Sequence, residues 1–337
     1  MNGGLHPRAD VDRIYVWRTL GGCGLLGVED TVSFERATLY YYLKDHTDVL
    51  MKNVLSSGFV KTPADVSIAP DAFKDHLNVT QFQNWRDKPL HGQYVRNLQD
   101  INCFNSFGWL VHSDLKIKTE SLILAAQDQA LTTKYFNTSI LGGSDPLCRL
   151  CGTNNETVAH IVSGCSTLVR TSYKKRHDAV ERHLHWCLCS QFGFPVVKEW
   201  WKHNPRSVEE SESVKLLWDF TITTDRTIHA NRPDLILVLK EERRAYLVDF
   251  SCPFDNNVTR KEAEKVEKYQ DLLLEIQRLW HVRAEIIPIV IGALGAVSPK
   301  FDDWLKSLHI NLYPCTLQKS VLLETAGLLR RTLNIHL

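Results

Sequence analysis

The stretch NRPDLILVLKEERRAYLVDFSCP, residues 231–253, contains two apolar runs separated by the charged segment EERR. Short aliphatic runs joined by such a turn predict two neighbouring strands. Pro233 is acceptable as the first residue of a strand. If the strands pair across the turn, Asp234 and Asp249 come to the same end of a sheet. There the two carboxylates could share a hard divalent cation, Mg²⁺ or Mn²⁺, through oxygen ligands.

The segments around this pair predict an α/β sheet unit. We expect strands at 217–224 and 285–293 and a long helix at 259–280. Apolar residues at steps of three and four give that helix one apolar face, formed by Ala263, Val266, Tyr269, Leu273, Ile276 and Trp280. Residues 204–218, NPRSVEESESVKLLW, are expected to be a linker that runs into a helix, with a boundary near residue 205.

The N-terminal part of the chain predicts helices. Residues 33–55 have apolar residues at helical spacing, and Ser33 is expected to cap the start of that helix. Residues 119–136 also predict a helix, within a region of mixed polarity that we interpret as a helical connector.

Composition limits the possible classes of protein. The 337 residues include 40 basic and 39 acidic side chains, so any binding of nucleic acid must depend on local patches rather than net charge. The first residues have no continuous apolar core of the kind that a secretory signal needs. The longest mostly apolar run, 284–297, is too short to span a bilayer. We therefore expect an intracellular protein, nuclear or cytoplasmic, without a membrane partner.

A cysteine cluster predicts a metal site. Cys148, Cys151, His160 and Cys165 follow the spacing Cys-x2-Cys-x8-His-x4-Cys, which suits four-coordinate structural zinc. The alternative is four buried side chains without a metal, since free cysteine packs readily as a small apolar residue. Other potential ligands follow in the sequence, but these four already complete a shell, so we interpret the others as a helix face: His177, His183, His185, Cys187 and Cys189.

The segment after this cluster, 167–194, predicts a basic helix. Its basic residues are Arg170, Lys174, Lys175, Arg176 and Arg182. In isolation, a charged helix face is usually solvated. Beside the predicted zinc-binding unit of residues 148–165, called the knuckle below, contact of these residues with phosphate is an equal alternative. We expect Arg232, just before the first acidic strand, to contact phosphate as well.

The Pro-Asp followed by a second acidic residue resembles the PD-(D/E)xK nuclease superfamily, which cleaves phosphodiesters. In that superfamily a lysine stands two residues after the second acid, but this chain has Ser251 there. The next helix carries lysines at spacings of four and three that could reach back over the sheet end, namely Lys261, Lys265 and Lys268.

The wider pattern resembles the C-terminal region of site-specific non-LTR retrotransposon polyproteins. The segments that carry the resemblance are the knuckle, RPDLILV, LVDFSCPFD, KEAEKVEKYQDL and PIVIGALG. In that family the catalytic lysine is displaced onto the helix, in a Lys-x-x-Lys-Tyr context that Lys265, Lys268 and Tyr269 match. Residues near the start, LHPRADVDRIYVWRTLGGCGL, are similar to the segment that follows the reverse transcriptase thumb.

The resemblance implies four regions. Residues 1–60 would be a remnant of the post-thumb segment, 61–145 a helical connector, 146–204 the zinc knuckle with its basic helix, and 205–337 a restriction-enzyme-like endonuclease domain with a C-terminal helix. The fold class would be α+β or α/β, with a mixed sheet flanked by helices. The only Asp-Asp pair, Asp302-Asp303, is expected in a helix rather than in a polymerase palm, so no polymerase site is expected.

The resemblance implies a metal-dependent DNA endonuclease that nicks one strand. Asp234 and Asp249 would hold the catalytic cation, Lys265 or Lys268 would stabilise charge on the phosphate, and Tyr269 would orient or pack beside them. The expected partners are DNA and the element's RNA. The alternatives are a non-catalytic nucleic-acid-binding module and a metal-stabilised protein-interaction domain. Activity of the isolated chain, its origin as a truncated copy or a host gene, and its oligomeric state stay open at this point.

Overall fold

The protein is described from a computed structural model. It describes residues 6–60, 62, 70–98, 103–310 and 312–335. In this part of the chain, a helical N-terminal half is followed by a five-stranded mixed sheet with helices on both faces.

The described residues of the N-terminal half form eight α-helices. They are α1 (Val11–Tyr15), α2 (Val28–Asp45), α3 (Val49–Ser56), α4 (Pro70–Asp87), α5 (Gln93–Arg96), α6 (Cys103–His112), α7 (Ile117–Gln127) and α8 (Lys134–Leu141). The single helix predicted at 33–55 is wrong in detail. Helix α2 starts after Gly27, so Ser33 lies inside it, and Asp48 ends the break before α3 by accepting a hydrogen bond from the Leu50 N–H (2.7 Å).

The predicted helix at 119–136 is also interrupted. Helix α7 ends at Gln127, and Gln129 adopts a left-handed conformation with φ of 56°. Helix α8 then begins at a new cap, where the Thr133 hydroxyl accepts from the Phe136 N–H (3.0 Å). A left-handed non-glycine residue cannot continue a right-handed helix, which is why one apolar pattern yields two helices.

Five strands form the sheet in the order in which they occur along the chain. They are β1 (Val208–Glu210), β2 (Val214–Trp218), β3 (Leu235–Leu239), β4 (Arg244–Ser251) and β5 (Arg283–Val290). The first four pair antiparallel, and β5 pairs parallel to β4. The paired strands predicted from residues 231–253 are therefore confirmed, as is the strand predicted around 285–293. Pro288 is tolerated because β5 is an edge strand.

The region before β3 differs from the prediction. Residues 204–218 form strands β1 and β2 rather than a linker and a helix. The tight turn between them is closed by Ser211, whose hydroxyl accepts from the Val214 N–H (3.1 Å). Strand β2 ends at Trp218 and does not continue to residue 224, because Asp219 has φ of 47°.

Helices cover both faces of the sheet. One face packs against α9 (Lys174–Gln191), α12 (Phe301–Ser307) and α13 (Pro314–Leu333). The other face packs against α10 (Val258–Lys268) and α11 (Gln270–Trp280). The long helix predicted at 259–280 is thus two helices separated at Tyr269, whose backbone leaves helical geometry at φ −104° and ψ 10°. Most of the predicted apolar face is confirmed, since Tyr269 and Ile276 are buried against the sheet and Val266, Leu273 and Trp280 are partly buried there, but Ala263 is exposed.

A further core joins the helical half, the cysteine cluster and α13. It also includes residues of the loop after β5, so the two halves of the chain are packed together rather than separated by an open linker. No helix in the described part of the chain is long and apolar enough to cross a membrane.

Candidate active site and metal cluster

The two predicted carboxylates lie at one end of the sheet. Strands β3 and β4 pair antiparallel with Leu235 opposite Val248. The same register places Asp234 opposite Asp249. The Asp234 carboxylate accepts a hydrogen bond from the Phe250 N–H (2.6 Å), which ties it to β4 directly beside Asp249. The hairpin therefore places both acids where a ligand above the strand ends could meet them.

Asp249 is surrounded by groups from α10 and its end. Its side chain is only 2% exposed, and the Lys265 ammonium contacts its Oδ2. The Lys268 ammonium lies 3.4 Å from Oδ1, and the Tyr269 hydroxyl donates to the same oxygen. The predicted lysines thus do reach back over the sheet. Burial of a carboxylate is costly unless it is paired, and these three groups provide the pairing.

Other residues of the predicted constellation lie elsewhere. Lys261, the third lysine of the stripe, pairs with Glu264 on its own helix. Ser251 follows Asp249 by two residues and so shares its face of β4, where its hydroxyl is buried without a hydrogen-bond partner in the described structure. The exposed Arg232 pairs with Asp219 (2.5 Å) at the margin of the site.

Two site residues were missed by reasoning from the sequence. His177 of α9 stacks edge-on against Phe250 (centroids 5.3 Å apart) and places Nε2 3.5 Å from Asp234 Oδ2. Its Nδ1 lies 3.0 Å from Glu181 Oε1, one helical turn further along. The spacing of four between His177 and Glu181 was the only available signal, and a solvated helix face gives the same spacing.

These contacts shift the ionisation of the site. Burial alone lowers the pKa of His177, but its hydrogen bonds to Asp234 and Glu181 raise it to about 10. Burial raises the pKa of Glu181 to about 8. The pKa of Asp234 is raised by burial but lowered more strongly by His177 and the Phe250 N–H. Near neutral pH, His177 is therefore cationic, Asp234 anionic and Glu181 protonated.

The Tyr269 hydroxyl interacts electrostatically with Asp249, Asp234 and Glu181. Burial, followed by the neighbouring Asp249 charge, raises its pKa well above its usual range, and Asp234 and Glu181 contribute in the same direction. The hydroxyl is therefore a hydrogen-bond donor at all ordinary pH values. The carboxylate oxygens of Asp234 and Asp249 are the donor type that Mg²⁺ and Mn²⁺ prefer, and the cationic side chains of His177, Lys265 and Lys268 balance their charges.

The cysteine cluster comes together as predicted. The ligand atoms of Cys148, Cys151, His160 and Cys165 all lie within 4.8 Å of one another. The sulfurs of Cys148 and Cys165 are 3.9 Å apart, and Cys151 Sγ lies 3.3 Å from His160 Nε2. A tetrahedral zinc requires edges of about 3.8 Å between sulfurs and about 3.6 Å between sulfur and nitrogen. The cluster can therefore hold a metal ion such as zinc.

The surrounding backbone pre-forms this cluster. Gly152 has φ of +66°, which permits the tight turn after Cys151. The Tyr173 hydroxyl accepts from the Cys165 N–H (2.9 Å) and donates to the Ile161 carbonyl (2.8 Å). Hydrogen bonds from the Thr153 hydroxyl and backbone lower the pKa of Cys151 to about 5, whereas burial raises that of Cys165.

The predicted nucleic-acid contacts divide into two groups. Arg170, Lys174 and Lys175 are exposed and Arg182 is partly exposed, with Lys174 paired to Asp178 and Lys175 to Glu324 (both 2.9 Å). Arg176, by contrast, is only 1% exposed. Its guanidinium donates to Thr325 Oγ1 (3.0 Å) and the Val162 carbonyl (2.8 Å). Contrary to the expectation, Arg176 is not on a surface that a phosphate can reach. It joins the knuckle to α13.

The Asp302-Asp303 pair lies in the first turn of α12, as expected, and Asp302 accepts a hydrogen bond from the Asn105 side chain (2.6 Å).

No protein-family model matches the sequence, and no curated protein matches it. The case for a function therefore rests on the geometry of the chain.

Proposed function

We propose that the protein is a metal-dependent DNA endonuclease of the PD-(D/E)xK type that nicks one strand, with a zinc-bound knuckle as a nucleic-acid-binding unit. One observation carries the proposal: Lys265 and Lys268 of α10 both contact Asp249, at the sheet end that also presents Asp234. The sequence lacks the usual lysine at Ser251, and this contact supplies the missing cation from the helix, as the retrotransposon resemblance implies.

In the proposed mechanism, Asp234 and Asp249 would hold a divalent cation, and Glu181 would add a further oxygen donor on release of its proton. The chemistry that such an ion would supply is Lewis-acid polarisation of the scissile phosphate and activation of a water. Lys265 and Lys268 turn from Asp249 towards the phosphate and stabilise the charge that builds on its oxygens. Tyr269 keeps Asp249 oriented through its hydroxyl. His177 holds Asp234 in place and adds positive charge beside the DNA backbone.

The proposal extends to the cysteine cluster, which we assign as a structural zinc site because its four ligands leave no open position. Helix α9 begins nine residues after Cys165 and carries His177 in its first turn. Lys174 and Lys175 are exposed at this same end of the helix. A nucleic acid bound along the knuckle and the start of α9 would therefore run directly to the carboxylates.

Nicking of supercoiled plasmid tests the proposal. Wild type should convert supercoiled DNA to open circles with Mg²⁺ or Mn²⁺, and Asp234→Asn and Asp249→Asn should each abolish this without weakening DNA binding. Each substitution removes a negative charge near the phosphate, so binding should be unchanged or tighter. Asp271→Asn is the matched control, because Asp271 is exposed on α11 and paired only with Arg226 (3.7 Å).

Two outcomes would overturn the assignment of nuclease activity. One is wild-type protein that binds DNA but cuts with neither metal, which would leave a non-catalytic nucleic-acid-binding module. The other is retained cutting by both aspartate variants.

A further inference from the structure

A second group of metal-ligand side chains lies on the other end of α9, away from the knuckle. His185 and Cys189 are one helical turn apart, and His203 follows the short 3₁₀ turn Trp200–Lys202. The Nδ1 of His185 is 2.8 Å from Nε2 of His203 and 3.4 Å from the Cys189 sulfur. The three ligand atoms lie within 4.8 Å of one another, and all three residues are buried.

The surrounding structure holds this group in place. The Trp218 ring packs edge-on against His185, with centroids 5.2 Å apart. The His203 N–H donates to the Trp200 carbonyl (3.0 Å), which sets the end of the turn. Glu209 on β1 is nearly buried, with 11% of its side chain exposed, and interacts electrostatically with both His203 and Cys189. The Glu209 carboxylate pairs with Arg206 (3.7 Å) and lies outside this group, so the donors that converge between α9 and the turn are two imidazole nitrogens and one sulfur.

We propose that His185, Cys189 and His203 bind a second zinc ion as its three protein ligands. Imidazole and thiolate are donors that select zinc over Mg²⁺. The Cys189–His185 edge already suits a tetrahedral ion, and the two imidazoles would separate by about 0.5 Å to reach the N···N edge that zinc requires. The rival explanation is a buried imidazole–imidazole hydrogen bond beside a packed thiol.

The second zinc would tie the segment that contains His203 to α9. The same helix carries His177 and Glu181, so the ion would stiffen the element that supports the carboxylate end of the sheet. This inference concerns metal content and does not depend on nuclease activity.

Zinc counts on the 337-residue chain, purified without chelator, test the inference. Wild type should contain two zinc ions per chain. Cys189→Ser and His203→Gln should each contain one, Cys151→Ser one, and the Cys151→Ser/Cys189→Ser double variant none. Cys187→Ser is the matched control and should keep two, because Cys187 is also a buried thiol of α9 but lies outside the group.

Co²⁺ binding to the Cys151→Ser chain gives a second reading. A folded chain should show thiolate-to-cobalt absorption that disappears when Cys189→Ser is added and remains when Cys187→Ser is added. A single zinc in wild type that Cys189→Ser leaves in place would overturn the inference, as would a folded Cys151→Ser chain that binds no cobalt. A single zinc lost with Cys189→Ser but kept with Cys151→Ser would support it and refute zinc at the knuckle.

Discussion

Asp249 shows how much the proposed site depends on a few side chains. It is almost fully buried, and its side-chain partners among the described residues are Lys265 and Lys268 of α10 and Tyr269. The two lysines are not equivalent, because the Lys265 side chain is 18% exposed and Lys268 is 46% exposed. Lys268 also donates to the Tyr269 hydroxyl (2.7 Å), which divides its interactions between two acceptors. Lys265 is therefore the better-positioned cation.

We expect Lys265→Ala to lower plasmid nicking by roughly a hundredfold or more, as loss of a donor to developing charge does. Lys268→Ala should have a smaller effect, and neither should weaken metal affinity. Lys261→Ala is the control on the same stripe, because Lys261 pairs only with Glu264. Ser251→Lys should partly rescue Lys265→Ala, since it restores a lysine at the superfamily's usual position. A larger loss for Lys268→Ala, measured as the single-turnover rate, would reverse this assignment.

The loop after β5 shows how a single acid can hold an element in place. Asp255 is fully buried and accepts hydrogen bonds from the Leu294 and Ala296 N–H groups (both 2.9 Å) and from the Tyr94 hydroxyl (3.0 Å). It therefore connects this loop with α5. Gly292 lies against the same carboxylate, and a Cβ there would collide with it. The loop thus requires both the acid and the glycine.

Asp255 should make stability depend on pH. Burial raises its pKa from 3.8 to about 6 despite the N–H donors. Between these values the folded chain holds a proton that the unfolded chain has released, so this contribution to stability is present below pH 3.8 and is lost as pH rises through 6. The loss is about 3 kcal/mol, on the scale of 1.4 kcal/mol per pKa unit.

The asparagine side chain of the Asp255→Asn variant cannot titrate, so the variant should lack this pH-dependent contribution to the free energy of unfolding. Denaturant unfolding at pH 4 and pH 7 should therefore show the stability difference between wild type and variant shifting in favour of the variant as pH rises. A difference that is constant with pH would show that Asp255 has an ordinary pKa. Exposed Asp225, paired with Arg278 (2.6 Å), provides Asp225→Asn as the control.

The cysteine cluster belongs to the core that joins the helical half to α13. Cys148 and Cys165 pack in the same cluster as Trp85, Trp109 and helix α13. Glu156, fully buried just beyond the Cys-x2-Cys turn, accepts from the Arg149 guanidinium (2.7 Å) and from the Lys134 N–H at the start of α8 (2.9 Å). The cluster is therefore fastened to the helical half and to the C-terminal helix. A metal bound here would stabilise more than the knuckle.

We expect Cys151→Ser to lower the temperature of thermal unfolding and to shift the fluorescence of Trp85 and Trp109, because loss of a structural metal loosens the core that these rings share. Cys315→Ser is the control, since Cys315 is a buried thiol of the same core outside the cluster. Unchanged tryptophan fluorescence, or an equal effect of Cys315→Ser, would mean that the cluster contributes no more than ordinary packing.

Patterns in the sequence were sufficient to predict the features that are formed by residues close together in the sequence. The aliphatic runs at 234–240 and 245–252 became β3 and β4 because charged turn residues separate them and apolar burial requires them to pair. The four ligands from Cys148 to Cys165 were recognisable because a tight turn and one helical turn bring them together without help from distant residues. The lysine stripe followed from helical spacing in the same way.

Tertiary packing settled the features that depend on which face of an element meets which neighbour. Arg176 and His177 are adjacent on one basic helix, yet Arg176 is buried between the knuckle and α13 while His177 reaches Asp234. Residues 204–218 have an ambiguous pattern, and became strands because β3 offers an edge for β2 to pair with. Helical spacing predicts which residues lie on the same side of a helix. Whether that side faces water, a core or a carboxylate depends on tertiary packing, because the burial and pairing energies come from residues distant in sequence.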